Sequence, residues 1–447
     1  MGRKSQQRVL ALWMNGARVA DWTISPNGHD QLRYDEAWLQ SDRRRPLSLS
    51  LPLQSGVIRT AAVGAYFDNL LPDSDSIRKR LQTRFGTATR GAFDLLEAIG
   101  QDCAGAVQLL PLDSEPSDYR KTEATPLSEA KVAQVLRDAV LPGGGIHREE
   151  RADFRISIAG AQEKTALTLI DGQWCLPHGA TPTTHIFKLP LGRVGARQAD
   201  MRTSVENEWL CAKLLDLFGV PVAETAMASF EDQKALLLTR FDRQRMAEGY
   251  WLRLPQEDFC QALGYPSALK YESDGGPGHA EIVEKLVYSR NDRDLENFFR
   301  TQVLFWLLAA TDGHAKNFSI RLLAGSAYEM TPMYDVLSAW PVTGQGAGLL
   351  DYRELKLAMA LRSRNAHYLL ETVQARHFVR LAERCRIPRD LAIRLIEELI
   401  AMTPVVVDQA GALLPDGYPM DVFEAITKGL QWSADRLAQS LALGPLR

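Results

Sequence analysis

The chain lacks most of the features that identify a protein class at a glance. Its five cysteines (Cys103, Cys175, Cys211, Cys260 and Cys385) are odd in number and scattered, with no CxxC and no Cys/His ligand spacing. That excludes a disulfide framework and a structural zinc, and cysteines in apolar surroundings, such as Cys211, read as small core hydrophobes. No apolar run reaches the ~18 residues that span a bilayer. The charged start, Met1 to Arg8, is followed by no apolar stretch of signal-peptide length, so a cytoplasmic protein without a membrane partner is expected. There is no excess of positive charge either. The formal net charge of −3 argues against a strong nucleic-acid binder acting alone, and the short clusters Arg43-Arg44-Arg45 and Arg78-Lys79-Arg80 read as solvated faces. Repeats, low-complexity tracts and a GxGxxG nucleotide loop are all absent. What remains is an ordinary globular composition: 447 residues, 45% hydrophobic and 24% charged, enough for two or three domains.

Periodicity divides the chain. Val9 to Met14 and Arg18 to Thr23 alternate as strands around Asn15-Gly16, a two-residue hairpin signal, and Pro46 to Leu53 alternates as a third strand candidate. Helical patterns follow at Gly64 to Leu70, Ser74 to Phe85 and Ala92 to Ile99. Residues 1–115 therefore read as a small α+β domain. A polar stretch and a helix over Leu127 to Val140 fill a linker, 116–147, ended by Pro142-Gly-Gly-Gly145.

Residues 148–242 then read as a strand (Phe154 to Ile158), a small-residue loop (Ala159 to Lys164), a hairpin turning at Asp171-Gly172, and a strand carrying Lys188. A helix from a Thr203-Ser-Val-Glu206 capping box and a buried strand running into Thr239-Arg240-Phe241 complete the segment. Residues 243–447 are mostly helical.

The chemistry is concentrated in Trp306 to Phe318. There Asp312 is followed five positions later by Asn317, with a second aspartate at Asp335. A catalytic base, a Mg²⁺-binding asparagine and a later Mg²⁺-binding aspartate in this order are the working parts of a kinase catalytic loop. The apolar run Val303 to Ala310 places Asp312 where the chain leaves a buried helix. Upstream, a loop around Gly160 lets backbone N–H groups approach phosphates. Lys188 offers a cation to them, and Glu206 or Glu208 could orient that lysine. Each signal has a bland alternative: a solvated Asp-Gly turn, a lysine on an exposed strand face, a turn histidine at His314, a structural His185. Their joint order is what points to a kinase N-lobe followed by a C-lobe.

The same residues resemble a known family. Phe154-Arg-Ile-Ser157-Ile-Ala-Gly-Ala-Gln-Glu-Lys164, Pro182-Thr-Thr-His185-Ile-Phe-Lys188, Leu254-Pro-Gln-Glu-Asp258, Lys270-Tyr-Glu-Ser-Asp-Gly-Gly-Pro-Gly278, Thr311-Asp-Gly-His-Ala-Lys-Asn317-Phe-Ser319 and Tyr334-Asp335 are similar to the HipA toxin kinases. Arg45-Pro-Leu-Ser-Leu-Ser-Leu-Pro-Leu53 and Phe67-Asp-Asn-Leu-Leu-Pro-Asp73 extend the resemblance over nearly the whole chain.

It implies an α+β fold: a small N-terminal α+β domain, then a bilobal protein-kinase-like or phosphoinositide-kinase-like body with a mostly helical C-lobe. It implies a Ser/Thr protein kinase toxin of a type II toxin–antitoxin module, using ATP and Mg²⁺ to phosphorylate glutamyl-tRNA synthetase and arrest growth. The implied partners are a HipB-like helix-turn-helix antitoxin, docked across the N-terminal domain and the kinase body, and operator DNA reached mainly through that antitoxin.

By the same resemblance Asp312 is the base, and Asn317 and Asp335 hold the metal. Lys188 meets the phosphates with the loop residues Ser157, Ala159, Gly160, Ala161, Gln162 and Lys164. Thr239, Arg240 and Phe241 form the adenine hinge, with His314 and Lys316 also at the nucleotide, and Ser157 is an inactivating autophosphorylation site. Thr239 departs from the family pattern, which has glutamate there. The alternatives are a small-molecule or lipid kinase of the same fold, or a catalytically silent co-repressor, against which the intact Lys188, Asp312, Asn317 and Asp335 speak.

Overall fold

The computed structural model describes residues 7–140, 159–160 and 162–443; Ser157, Ala161 and the expected strand Phe154 to Ile158 lie outside the described residues. The chain folds into two compact units that interleave in sequence. One comprises residues up to 189 with 228–269 and 319–328; the other comprises 190–227, 270–318 and the part from 329 onward.

The first unit opens with a five-stranded sheet in the order Val57–Ile58, Asp30–Tyr34, Ala17–Ile24, Arg8–Met14, Gln108–Pro111. Asn15 and Gly16 take positive φ (45° and 76°) at the first turn, as an Asn-Gly hairpin requires. Short helices, Ala61–Asp68 and Ala92–Ile99 among them, cover one face, and Trp22 stacks on Phe67 at 3.8 Å inside that core.

The third strand is Asp30–Tyr34, not the alternating Pro46 to Leu53. Leu47 and Leu51 are buried as alternation requires, but the segment has no ladder. Tyr34 Oη accepts from Leu47 N (2.8 Å) and donates to Leu51 O (2.5 Å), and Leu49 N donates to Glu257 Oε1 at 2.9 Å. Side chains here take the hydrogen bonds a neighbouring strand would have taken.

A six-stranded sheet follows, ordered Thr225–Phe230, Gln233–Thr239, His185–Lys188, Lys164–Ile170, Gln173–Pro177, Ala124–Pro126. The Glu129–Val140 helix supplies Val132, Ala133 and Leu136 to a core shared with Leu167, Phe187 and Ala235.

The second unit is built on the helices Ser204–Leu217, His279–Leu286, Asp294–Leu307, Ala375–Arg384, Arg389–Ala412 and Met420–Ala442, with a hairpin at Lys356–Arg362 and Ala366–Leu369 that periodicity did not reveal. The expected capping box is not formed. Thr203 makes no side-chain cap bond; Ser204 Oγ accepts from Leu191 N at 3.0 Å instead, and Glu206 is buried. All five cysteines are free and buried. Among the described residues no helix is long and apolar enough to cross a membrane.

Candidate active site

In the second unit the Asp294–Leu307 helix is buried from Phe298 to its end, with Phe298, Phe299, Val303, Leu304 and Leu307 fully inside. It stops in a left-handed residue, Ala309 (φ 48°), and Ala310 N closes back on Phe305 O at 2.8 Å, a non-glycine strain that a rigid surrounding must hold. Asp312 follows at once. Its side chain is 58% exposed, whereas Gly313 to Phe318 are all buried.

The five-residue spacing to Asn317 now has a local cause. Asn317 Nδ2 donates to the backbone O of Asp312 at 2.7 Å, and the turn inside is closed by His314 N to Asp312 O (2.8 Å) and Asn317 N to His314 O (2.9 Å). Asn317 therefore fixes the aspartate's backbone through Nδ2, and Oδ1 is the atom that could meet a cation. Gly313 is required by close approach: a Cβ there would lie 2.3 Å from the ring of Phe305, which is buried and cannot give way.

His314 is buried, with Nε2 3.9 Å from Asp312 Oδ1 and Nδ1 without a hydrogen-bond partner among the described residues. Burial lowers its pKa, so at neutral pH the ring is an uncharged donor or acceptor.

Asp335 sits half-buried at φ 61°. Its loop is held from both sides. Met333 exchanges backbone bonds with Pro221 and Ala223 (both 2.8 Å), and Tyr334 Oη donates to Lys316 O at 2.9 Å. Beyond Asp335, Ser338 Oγ donates to Leu308 O at 2.6 Å. Asn207 exchanges two 2.8 Å bonds with the Ser338 backbone, so a residue between Glu206 and Glu208 also tethers this loop. Only the polarity of Asn207 on an otherwise buried helix hinted at it.

Tyr271 was not singled out by sequence reasoning, although it lies in the Lys270 to Gly278 motif. Its Oη donates to Asp312 Oδ1 at 2.5 Å. Two other residues of the motif are structural: Glu272 accepts from Ala360 N at 2.6 Å and Arg362 Nε at 2.9 Å. Gly278 admits that carboxylate, since a Cβ there would stand 2.7 Å from it.

Among the described residues no cluster of three or more His, Cys, Asp or Glu could hold a metal by itself. Asn317 and Asp335 offer two hard oxygen ligands, and the orphaned His314 Nδ1 one more polar atom, which fits Mg²⁺ carried with nucleotide phosphates and not a caged ion.

In the first unit Lys188 lies on an inner strand opposite Lys164 and Leu236. It is 4% exposed, which rules out the reading of a solvated strand lysine. Gly160 has φ 112°, and a Cβ there would lie 2.4 Å from Lys164 Nζ, which itself donates to Ala159 O at 2.6 Å. Gln162 Nε2 donates to Leu189 O at 2.5 Å. Both side chains thereby help to shape the loop. The loop is also gripped by the N-terminal domain. Asp73 N donates to Gly160 O at 3.1 Å, and Arg80 pairs with Glu163.

Arg240 is likewise occupied. Its guanidinium donates to Asp242 (2.9 and 2.7 Å), Thr183 Oγ1 (2.9 Å) and Cys103 O (2.8 Å). Arg243 reaches Asp102 Oδ1 at 3.0 Å and Gly105 O at 2.8 Å, and Arg253 Nε reaches Asp102 Oδ1 at 3.1 Å. All five charged side chains are buried. Burial works to raise the Asp102 carboxyl, but Arg243, Arg253 and Arg240 together hold it well below the carboxylate range. Burial and neighbouring Arg240 bring Arg243 down to about 10. The Asp102 to Gly105 loop is thus wired to the segment 240–243, and of Thr239-Arg240-Phe241 only Thr239 and Phe241 are half-exposed. His185 is structural, bonded to Thr184 Oγ1 (2.8 Å) and edge-on to Trp174.

The structure therefore gathers Asp312, His314, Lys316, Asn317 and Asp335 within one unit. It gathers Ala159, Gly160, Gln162, Lys164, Lys188 and the Thr239 to Phe241 segment within the other. Comparison with known proteins gives the chain a family. Residues 156–406 match the HipA-like C-terminal domain and residues 10–110 the HipA N-terminal domain. Y4mE of Sinorhizobium fredii, named as a proposed kinase, is 35% identical over 79% of this chain and 80% of its own. The serine/threonine-protein kinase toxin HipA of Shewanella oneidensis is 27% identical over 88% of this chain and 86% of its own. The solved Shewanella oneidensis complex of HipA, HipB and operator DNA contains a chain of the same fold, with a TM-score of 0.79 at 23% identity, covering 97% of this chain and 98% of that one. With both domain models matched in order and a relative at this identity over most of both lengths, the chain belongs to the HipA kinase family.

Proposed function

We propose that this protein is a Ser/Thr protein kinase toxin that transfers the γ-phosphoryl group of ATP to a serine hydroxyl of a protein. The observation that carries this reading is the loop in which Asn317 clamps the backbone of an exposed Asp312. A rigidly held base that an acceptor hydroxyl can reach, with oxygen ligands beside it, is what phosphoryl transfer asks of a protein.

Asp312 accepts the proton of the acceptor hydroxyl as its oxygen bonds to the γ-phosphorus and the bond to ADP breaks. Asn317 and Asp335 would hold Mg²⁺, which supplies charge neutralisation at the phosphates. Lys188 supplies a further cation, His314 and Lys316 line the nucleotide, and Thr239 to Phe241 provide hinge backbone for adenine. Glutamyl-tRNA synthetase is the protein substrate that the family resemblance supports. A HipB-like antitoxin, and operator DNA through it, are the partners that the Shewanella complex supports. Ser157 is assigned as the site of inactivating autophosphorylation, where a phosphate adds about −1.5 to −2 charge next to the phosphate loop.

The metal assignment has a direct test. In Asn317→Ala and in Asp335→Asn, nucleotide affinity measured by titration should fall by about tenfold or more in Mg²⁺ and differ little from the parent in EDTA. Equal losses in both buffers would make these packing residues and remove the metal site from the account.

A further inference from the structure

Asp312 Oδ1 already carries a hydroxyl. The Tyr271 phenol donates to that oxygen at 2.5 Å, a hydrogen bond to a carboxylate and so of the stronger kind. An acceptor hydroxyl awaiting deprotonation must lie in the same relation to the base.

The way Tyr271 is held separates its backbone from its tip. Its carbonyl accepts from Asp274 N (3.1 Å) and Gly276 N (3.0 Å), and the next residue, Glu272, is pinned to Ala360 and Arg362. The side chain is half-buried, its ring edge-on to His314 with centroids 5.0 Å apart, and it ends on a carboxylate that is 58% exposed. Rotation about two side-chain torsions can lift the hydroxyl away while the backbone stays.

We propose that Tyr271 is a specificity-determining residue: its hydroxyl occupies the acceptor position on Asp312 and keeps water from using the base. A serine delivered on a bound protein brings enough binding energy to displace it; a lone water does not. The proposal rests on the kinase reading of Asp312.

With water in that position, the proton passes to Asp312 while the water oxygen bonds to the γ-phosphorus and the bond to ADP breaks. The products are ADP and inorganic phosphate. With a serine hydroxyl there, the same proton moves and phosphoserine forms.

Tyr271→Phe removes only the hydroxyl. The readout is the ratio of two rates in the full chain: ATP hydrolysis without protein acceptor, counted beyond one phosphate per chain, and phosphorylation of an acceptor protein. The ratio should rise by about tenfold, the worth of one hydrogen bond to a charged group. Tyr271→Leu should raise it as well, and the added hydrolysis should vanish in Tyr271→Phe combined with Asp312→Asn. An unchanged ratio, with both rates moving together, would make Tyr271 a general orienter of the base and overturn the proposal. An Asp312→Asn chain that transfers phosphate as well as the parent would overturn the assignment of Asp312 as the base, on which this proposal rests. The two failures are therefore distinct.

Discussion

Asp312→Asn is expected to lose phosphoryl transfer by on the order of a hundredfold or more, the usual contribution of a general base, while keeping its fold and its nucleotide. Fold should be spared because the carboxylate is largely exposed and the bond that shapes the loop goes to the Asp312 backbone oxygen, which the substitution keeps. Asparagine matches aspartate in size, and surface changes away from buried features usually stay within about ±0.5 kcal/mol. Nucleotide should be spared because the proposed metal ligands are Asn317 and Asp335. The check is a transfer rate beside an ATP titration and a thermal melt. Near-normal turnover would move the catalytic role to another residue.

The largest effect on stability is expected at Asp102→Ala, in the domain that carries none of the chemistry. Asp102 and Asp242 face Arg240, Arg243 and Arg253 with every side chain buried. Three guanidiniums against two carboxylates already leave an excess of positive charge, and deleting Asp102 leaves three against one. Removing one partner of a buried ion pair costs about 3–5 kcal/mol, because the remaining charge is neither paired nor solvated. An exposed pair behaves otherwise: Asp200 beside Arg202, with side chains 43% and 72% exposed, should be replaceable by alanine without a measurable shift in Tm.

The pH dependence follows from the sign of the shift. The folded Asp102 carboxyl is held below its ordinary 3.8, so its stabilisation is complete above that value and lost only as pH falls toward the folded pKa. The gap between parent and Asp102→Ala should therefore be full at pH 7 and narrow only in acid. A melt in which Asp102→Ala matches the parent at neutral pH would mean the cluster relaxes or admits water.

The elements were legible where a local pattern decides them. Asn15-Gly16 and Asp171-Gly172 mark their turns, all four residues having positive φ, and Val303 to Ala310 marks a buried helix end. The spacing of Asp312 and Asn317 was legible because its cause is local, one side chain reaching back across a single turn. Contacts from distant sequence were not. Alternation at Pro46 to Leu53 reported the burial of Leu47 and Leu51 but not that Tyr34 and Glu257 would take the place of a neighbouring strand. The Thr203 to Glu206 pattern carried the letters of a capping box, but burial of Glu206 overrode it.

Among the site residues, Arg240 read as part of a nucleotide hinge, yet its guanidinium is committed to Asp242, Thr183 and Cys103. Nothing in the spacing of residues 102 and 240 announces that contact. It changes the part played by the N-terminal domain, which sequence reading treated as an interaction platform only. Its Asp102 to Gly105 and Asp73 segments hold the Asp242 and Arg243 side chains and the backbone at Gly160. Tyr271 and Asn207 escaped notice for the same reason, each acting through a partner 41 or 131 residues away.

The central claim is that this chain phosphorylates protein hydroxyls from Asp312. Purified chain should be incubated with γ-labelled ATP, Mg²⁺ and a cell extract, and the label followed into acid-stable phosphoamino acids, lipids and small molecules. The account predicts label in protein phosphoserine, including Ser157 of the chain itself, and none of it with Asp312→Asn. Label entering lipid or a small metabolite instead of protein, or protein label that survives Asp312→Asn, would contradict it.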